Sequence, residues 1–141
     1  MPDPRPIAPD LFVVTDAGPR LVAGACGACG RRHFPAAGSC PYCSALDCRA
    51  VHVGPEARLF LYTVVQSAPP GYRGPLPYGF GVVELAGGLR IVTRLAETAF
   101  DRLALDLPMR LVVEPLYTAE DGAPVLSYLF APAGDRGDAR P

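Results

Sequence analysis

Five cysteines stand in the chain, and four of them fall into two matched pairs. Cys26-Gly-Ala-Cys29 and Cys40-Pro-Tyr-Cys43 together read C-x2-C-x10-C-x2-C. A two-residue spacer lets both sulfurs of a pair reach one ion from a tight turn, and two such turns supply four thiolates. Gly30 follows the second thiolate, where the turn calls for a positive φ and an amide directed at sulfur, and Pro41 fixes φ at the opening of the second turn. Four thiolates close a tetrahedral site, so Cys26, Cys29, Cys40 and Cys43 are expected to hold a structural ion with no open position for catalysis. Iron suits four thiolates too, but zinc is favoured because nothing else in the chain suggests electron transfer. A thioredoxin-like redox pair has one CxxC at a helix start and no second pair beside it.

The remaining candidates for chemistry are few. Cys48 reads as a small, partly buried hydrophobe with no base near it in sequence. His33, inside the loop between the cysteine pairs, is surplus as a ligand and reads as a surface or packing residue. His52 falls in an apparent connection, Ala50–Pro55. These are the only two histidines. A histidine-based acid–base mechanism contained in this chain is therefore disfavoured. No GxSxG elbow, phosphate-binding glycine loop or nucleophile–base pair is present. Arg31-Arg32, beside the first cysteine pair, could meet a phosphate; the simpler reading is that they offset the charge of roughly −2 on a four-thiolate zinc site.

The elements that must position these residues read as strands. Arg58–Gln66 is β-branched and aromatic, and ends at Ser67-Ala-Pro-Pro-Gly71. Phe80–Leu85 and Arg90–Leu95 form a hairpin pattern around Gly87-Gly88. A short segment at Asp101–Leu107, helical or irregular, precedes strands at Met109–Glu114 and Val125–Phe130, which are joined across Ala119–Gly122. Five strands with the widest gap between the third and fourth suit an OB-fold, a Greek-key barrel, better than an SH3-like barrel. The fold class expected is mainly β, with an N-terminal rubredoxin-like zinc ribbon followed by a five-stranded OB-fold barrel. Residues 1–20 form an N-terminal arm in this reading, 21–50 the ribbon, 51–132 the OB-fold domain and 133–141 a disordered tail. The loop from Ala68 to Tyr78 is proline-stiffened and carries Tyr72, Arg73 and Tyr78, the type of barrel loop where binding tends to sit.

Bulk properties narrow the classes. The chain has 141 residues, half of them hydrophobic, enough for one ordinary domain or a metal-stapled module with a compact domain. The net charge of −1 offers no general attraction to phosphate backbones, which weighs against a nucleic-acid partner. The start, Met1-Pro-Asp-Pro-Arg-Pro6, has no apolar core of a signal peptide, and no stretch approaches the roughly 18 apolar residues of a spanning helix. A cytoplasmic setting without a membrane is therefore expected, where paired CxxC motifs read as metal sites before disulfides.

A cysteine ribbon running directly into a five-stranded barrel resembles the DUF-thirty-five family, a rubredoxin-like zinc ribbon joined to an OB-fold. The resemblance rests on Leu21–Gly30, Phe34-Pro35, Cys40–Cys43, Tyr62–Val65, Pro77-Tyr78 leading into Val82–Leu85, and Tyr128–Phe130, and covers about Leu11 to Ala131. One departure is the stretch before Leu21, where family members often carry a longer helical arm. The resemblance implies a non-catalytic accessory subunit. Such subunits assemble with a thiolase, an HMG-CoA synthase-like enzyme or a thiolase-like aldolase and help form or stabilise its acyl-CoA site. It implies one structural zinc, acyl-CoA shared with the partner, and Tyr72, Arg73 and Tyr78 as contacts to CoA or the partner. Ketoacyl-CoA thiolysis, sterol side-chain cleavage in steroid degradation and polyketide-type acyl transfer stay open as settings within lipid metabolism. The alternative class is a single-stranded nucleic-acid-binding module, a common use of zinc ribbons and OB-folds.

Overall fold

A computed structural model describes residues 3–96 and 100–133. The described residues form ten strands and two three-residue 3-10 turns, with no α-helix long and apolar enough to cross a membrane. The strands are β1 (Arg5–Pro6), β2 (Phe12–Thr15), β3 (Gly18–Cys26), β4 (Arg32–His33), β5 (Cys48–Val53), β6 (Glu56–Val65), β7 (Tyr78–Glu84), β8 (Arg90–Leu95), β9 (Pro108–Thr118) and β10 (Pro124–Pro132).

Strands β6 to β10 close into a barrel. β6 pairs with β7 and β7 with β8, both antiparallel; β8 meets β10 in parallel, β10 runs antiparallel to β9, and β9 returns to β6. This is the five-stranded Greek-key connectivity of an OB-fold. Alternation places Leu59, Val83, Ile91, Leu95, Met109, Leu111 and Phe130 inside, all essentially buried. The hairpin expected around Gly87-Gly88 is present: Leu85 and Leu89 pair across a 3-10 turn, and both glycines take φ of 84°, a region that favours glycine. Among the described residues between the third and fourth barrel strands there is a 3-10 turn, Phe100–Arg102, and no packed helix.

The ribbon is a second sheet built on β3. β5 pairs with one edge of β3 from Leu21 to Cys26, while β2 and then β4 share the other edge. Residues 12–20, read from the sequence as part of an arm, thus form β2 and the start of β3. The segment holding His52 is corrected from a connection to strand β5; its short and only partly apolar pattern, Arg49-Ala-Val-His-Val53, gave weak alternation. Preceding both, β1 lies parallel to β10, Arg5 beside Val125 and Pro6 beside Leu126. Of the tail expected to be disordered, only Ala133 falls within the described residues.

One hydrophobic core serves both sheets. Leu21 and Ala23 of β3 and Val53 of β5 join the barrel cluster, and Phe34 packs edge-on against Tyr128 of β10 with ring centroids 5.5 Å apart. The base of the ribbon is therefore fastened to the barrel by apolar burial, and only its far end carries the cysteines.

Candidate metal centre and the exposed barrel face

The two cysteine turns share a common geometry. In the first, the Gly30 amide donates to the Cys26 carbonyl at 3.0 Å and the Cys26 amide to Arg31 O at 2.9 Å. In the second, Ser44 donates to Cys40 O at 2.9 Å and Cys40 to Ala45 O at 2.8 Å. Gly30 (φ 81°) and Ser44 (φ 68°) occupy equivalent left-handed positions. The positive φ expected at Gly30 is present, but its amide serves a carbonyl; the amides directed at sulfur come from Ala28 and Cys29 onto Cys26, and from Tyr42 onto Cys40.

These turns bring the sulfurs of Cys26, Cys29, Cys40 and Cys43 within 4.8 Å of one another. Cys26 and Cys43 stand 3.6 Å apart, and Cys29 and Cys40 3.7 Å. Zinc–sulfur bonds of about 2.3 Å at tetrahedral angles place neighbouring sulfurs about 3.8 Å apart, so the donor set fits one zinc ion. The electrostatics agree. The Cys29 amide, with that of Ala28, lowers the Cys26 thiol to about 6 despite burial. Burial pushes Cys40 up, yet the amides of Cys43 and Tyr42 outweigh it and lower it. The Ala45 amide pulls Cys43 down, but its hydrogen bond to Cys26 and burial win, raising it to about 12. Four crowded sulfurs cannot all ionise without a cation among them. A rubredoxin-like ribbon with this four-cysteine cluster is a structural zinc site.

The surplus residues take structural places. His33 is buried: its Nε2 accepts from the Ala37 amide at 3.1 Å and its ring lies against Gly24, where a Cβ would collide with it. Cys48 is the cross-strand neighbour of Cys26 and is half-buried, and burial raises its thiol. His33, Cys40 and Cys48 also lie close enough to form a three-donor group, which shares Cys40 with the four-thiolate set.

In the loop before β7, the structure brings the three expected residues to one end of the barrel. Tyr72 stacks on Tyr78 at 4.5 Å and donates its hydroxyl to Pro75 O at 2.7 Å. Arg73 lies over the Tyr117 ring at 4.4 Å. Their closest contacts are internal, so these groups stiffen the loop.

The barrel also shows an exposed apolar row that the sequence reading did not single out. Register aligns Leu61, Val82 and Val92 across β6, β7 and β8 on the outer face. Leu61 is 53% exposed and Val92 57%. The next row carries Thr63, Phe80 and Arg94, with Phe80 39% exposed and edge-on to Tyr78. Strand alternation should put polar groups here. The clue available in the sequence was the unbroken apolar run Leu59–Tyr62, which alternation alone cannot bury. A bulge between Leu59 and Leu61 turns it outward, and the extra residue, Phe60, lies under the Arg90 guanidinium at 3.8 Å.

Comparison with known proteins agrees with this architecture. Residues 19–48 match the family described as the rubredoxin-like zinc ribbon domain of ChsH2, and residues 50–114 the C-terminal OB-fold domain of ChsH2. The chain is 30% identical to the benzoylsuccinyl-CoA thiolase subunit BbsA of Thauera aromatica, covering 92% of this chain and 89% of that one. It is 33% identical to a probable enoyl-CoA hydratase alpha subunit of Thermomonospora curvata over 64% of this chain, and spans only 28% of that protein's length. Among solved structures it resembles a chain of the Ltp2-ChsH2(DUF35) aldolase, with a TM-score of 0.64 and 28% identity over 81% of this chain and 85% of the other. With both domains matched in order and a near full-length relative, the chain belongs to the DUF35 family, in its ChsH2-like form of a zinc ribbon joined to an OB-fold.

Proposed function

We propose that the chain is a non-catalytic accessory subunit that docks on a thiolase-like enzyme and helps form or stabilise its acyl-CoA site. The observation that carries this reading is the exposed row Leu61–Val82–Val92 with Phe80 beside it. A contiguous apolar patch on a sheet's solvent face is the mark of a surface meant to be covered. Two of its relatives, a thiolase subunit and a chain of an aldolase complex, are named as parts of larger enzymes. The metal site supports the same division of labour. Zinc held by Cys26, Cys29, Cys40 and Cys43 is closed and supplies rigidity to the turns, with no vacant position to polarise a substrate. Tyr72, Arg73 and Tyr78 are the loop residues assigned here to contact CoA or the partner.

The test is co-expression with thiolase-like enzymes encoded beside this chain, followed by co-purification. The wild-type chain should retain one of them stoichiometrically, while Leu61→Glu and Val92→Glu, which alter exposed positions, should lose it with melting temperature unchanged. A wild-type chain that captures none of them, or charged variants that bind as well, would overturn the reading. Arg73→Ala should weaken partner or CoA affinity with little change in melting temperature; unchanged affinity would leave the loop a stiff connection only.

A second reading draws on the same face. Phe60 under Arg90, with Phe80 and Arg94 nearby, has the aromatic-plus-cation composition on which single strands stack. Salt-dependent binding of a single-stranded oligonucleotide, lost in Phe80→Ala, would favour it over docking.

A further inference from the structure

A cleft of about 700 Å³ opens between the first cysteine turn and the β7–β8 turn. Gly30, Arg31, Arg32 and Tyr42 line the ribbon side, and Ala86 to Leu89 the barrel side. No carboxylate is among these residues. Arg31 is held over the Tyr42 ring at 5.0 Å, which limits the freedom a flexible guanidinium would otherwise lose on binding. Arg32 makes no ion pair among the described residues. On the opposite wall, Gly87 and Gly88 both have φ of 84°, and a Cβ on either would meet nothing within 4 Å. The turn is closed by Leu85 and Gly88 amides, leaving the Gly87 amide outside its hydrogen bonds.

We propose that this cleft binds the phosphate group of a small anionic ligand, a diphosphate or nucleotide-type phosphate. The two guanidiniums supply charge and forked donors, and the glycine turn supplies a side-chain-free wall that lets phosphate oxygens approach backbone. The contrast with the adjoining groove sharpens the choice. That groove, on the other side of Arg32, is lined by Glu56 and Glu84 as well as Arg58, and its mixed charge suits no anion. Offsetting the zinc–thiolate charge explains why arginines follow Cys29, but not why an acid-free cleft walled by an open glycine turn faces them. The site is also distinct from the Tyr72–Tyr78 loop, which lies at the other end of β7, about 20 Å along the strand. It stands independently of partner docking.

The zinc-loaded full chain is titrated with inorganic pyrophosphate, adenosine 5′-diphosphate and CoA by calorimetry. Pyrophosphate is expected to bind at one site, more weakly as salt rises. The double variant Arg31→Gln, Arg32→Gln should lose about tenfold or more in affinity while keeping one zinc per chain. A second pair of variants leaves the ribbon untouched. Gly87→Asn and Gly87→Asp both tolerate a left-handed backbone, yet only the aspartate should abolish binding by repulsion. Tighter binding of adenosine 5′-diphosphate or CoA than pyrophosphate, still lost in Gly87→Asp, would extend the site to a nucleotide. No binding of pyrophosphate, or binding equal in Gly87→Asp and Gly87→Asn, would overturn the proposal.

Discussion

The two ends of strand β3 are held by different forces. At Leu21 and Ala23 the strand is fully buried in the apolar core shared with the barrel; five residues after Leu21 it delivers Cys26 to the metal cluster. Around the cysteines, residues 27–32 and 35–39 are exposed, Phe34 is partly covered, and burial is confined to Cys26, Cys40 and His33. The barrel inverts this, with each inward Leu, Ile or Phe contributing about 1.5–3 kcal/mol by leaving water. The lesson is that "ribbon" and "barrel" describe sequence better than energetics. The base of the ribbon belongs with the barrel, and only the cysteine turns depend on the ion.

Removing the ion is the strongest test of that division. Structural zinc supplies on the order of 10–16 kcal/mol to isolated zinc-finger folds near neutral pH. Chelation, or Cys29→Ser or Cys40→Ser, should release zinc and abolish hydrogen-exchange protection at the amides of Ala28, Cys29 and Tyr42, which point at sulfur. Protection at Val22, whose amide donates to Leu11 O, should survive with the barrel. Collapse of both regions together would break the comparison. The same site should release zinc on acidification. Zinc needs thiolates, and Cys43, held up to about 12, must give up its proton on binding, so affinity falls as pH falls.

The reciprocal experiment cuts the core. Phe130→Ala should destabilise the barrel by about 3–5 kcal/mol through lost burial and the cavity it leaves. Phe130 is fully buried where β10 crosses from β9 to β8. Below the lowered melting temperature the variant should still bind one zinc per chain, measured by a chromogenic chelator. Lost zinc in the folded variant would show that the cysteine turns rely on the barrel more than the structure indicates.

A smaller perturbation probes the border. Gly24→Ala places a Cβ against the His33 ring, and such overpacking costs about 1–3 kcal/mol. The expected result is a lower zinc affinity with a nearly unchanged barrel transition, because His33 lies on β4, between the cysteine pairs. Full zinc affinity would mean the ring moves aside freely.

Much of this layout was legible beforehand, for physical reasons that differ by region. Cysteine spacing is a covalent constraint, so the four donors could be named from sequence alone. The barrel strands could be read where period-two alternation was strong, as in Arg90–Leu95. The ribbon strands could not: Gly18–Cys26 is rich in small residues, and what makes it a strand is pairing with β2, β4 and β5, of which β5 lies beyond both cysteine pairs. The apolar row on the outer face was hidden because a one-residue bulge decides which way Leu61 points. Arg31 and Arg32 read as counter-charges in sequence because the β7–β8 turn that shares their cleft lies far along the chain.

The smallest effect concerns β1, which precedes the ribbon in sequence yet is fastened to the barrel. Arg5 donates to Asp121 at 3.0 Å, both side chains are exposed, and the Ile7 amide donates to Leu126 O at 2.8 Å. Hydrogen bonding from Arg5, then from the Ala123 amide, lowers the Asp121 carboxyl, while Arg5 is raised further above its already high value. A lowered carboxyl stabilises the fold fully above its unfolded pKa of about 3.9, and that contribution disappears as pH falls through the folded value. Arg5 stays charged throughout, so the window belongs to Asp121 alone. Because the pair is open to solvent, Asp121→Asn should move the melting temperature by about a degree or less. Hydrogen exchange at Ile7 is the more sensitive readout. Compared at equal pH, the variant should exchange faster than wild type near neutrality, and the two should converge well below the normal carboxylate range. Equal rates at neutral pH would mean that backbone pairing alone docks β1, leaving the barrel's hold on the segment before the ribbon independent of charge.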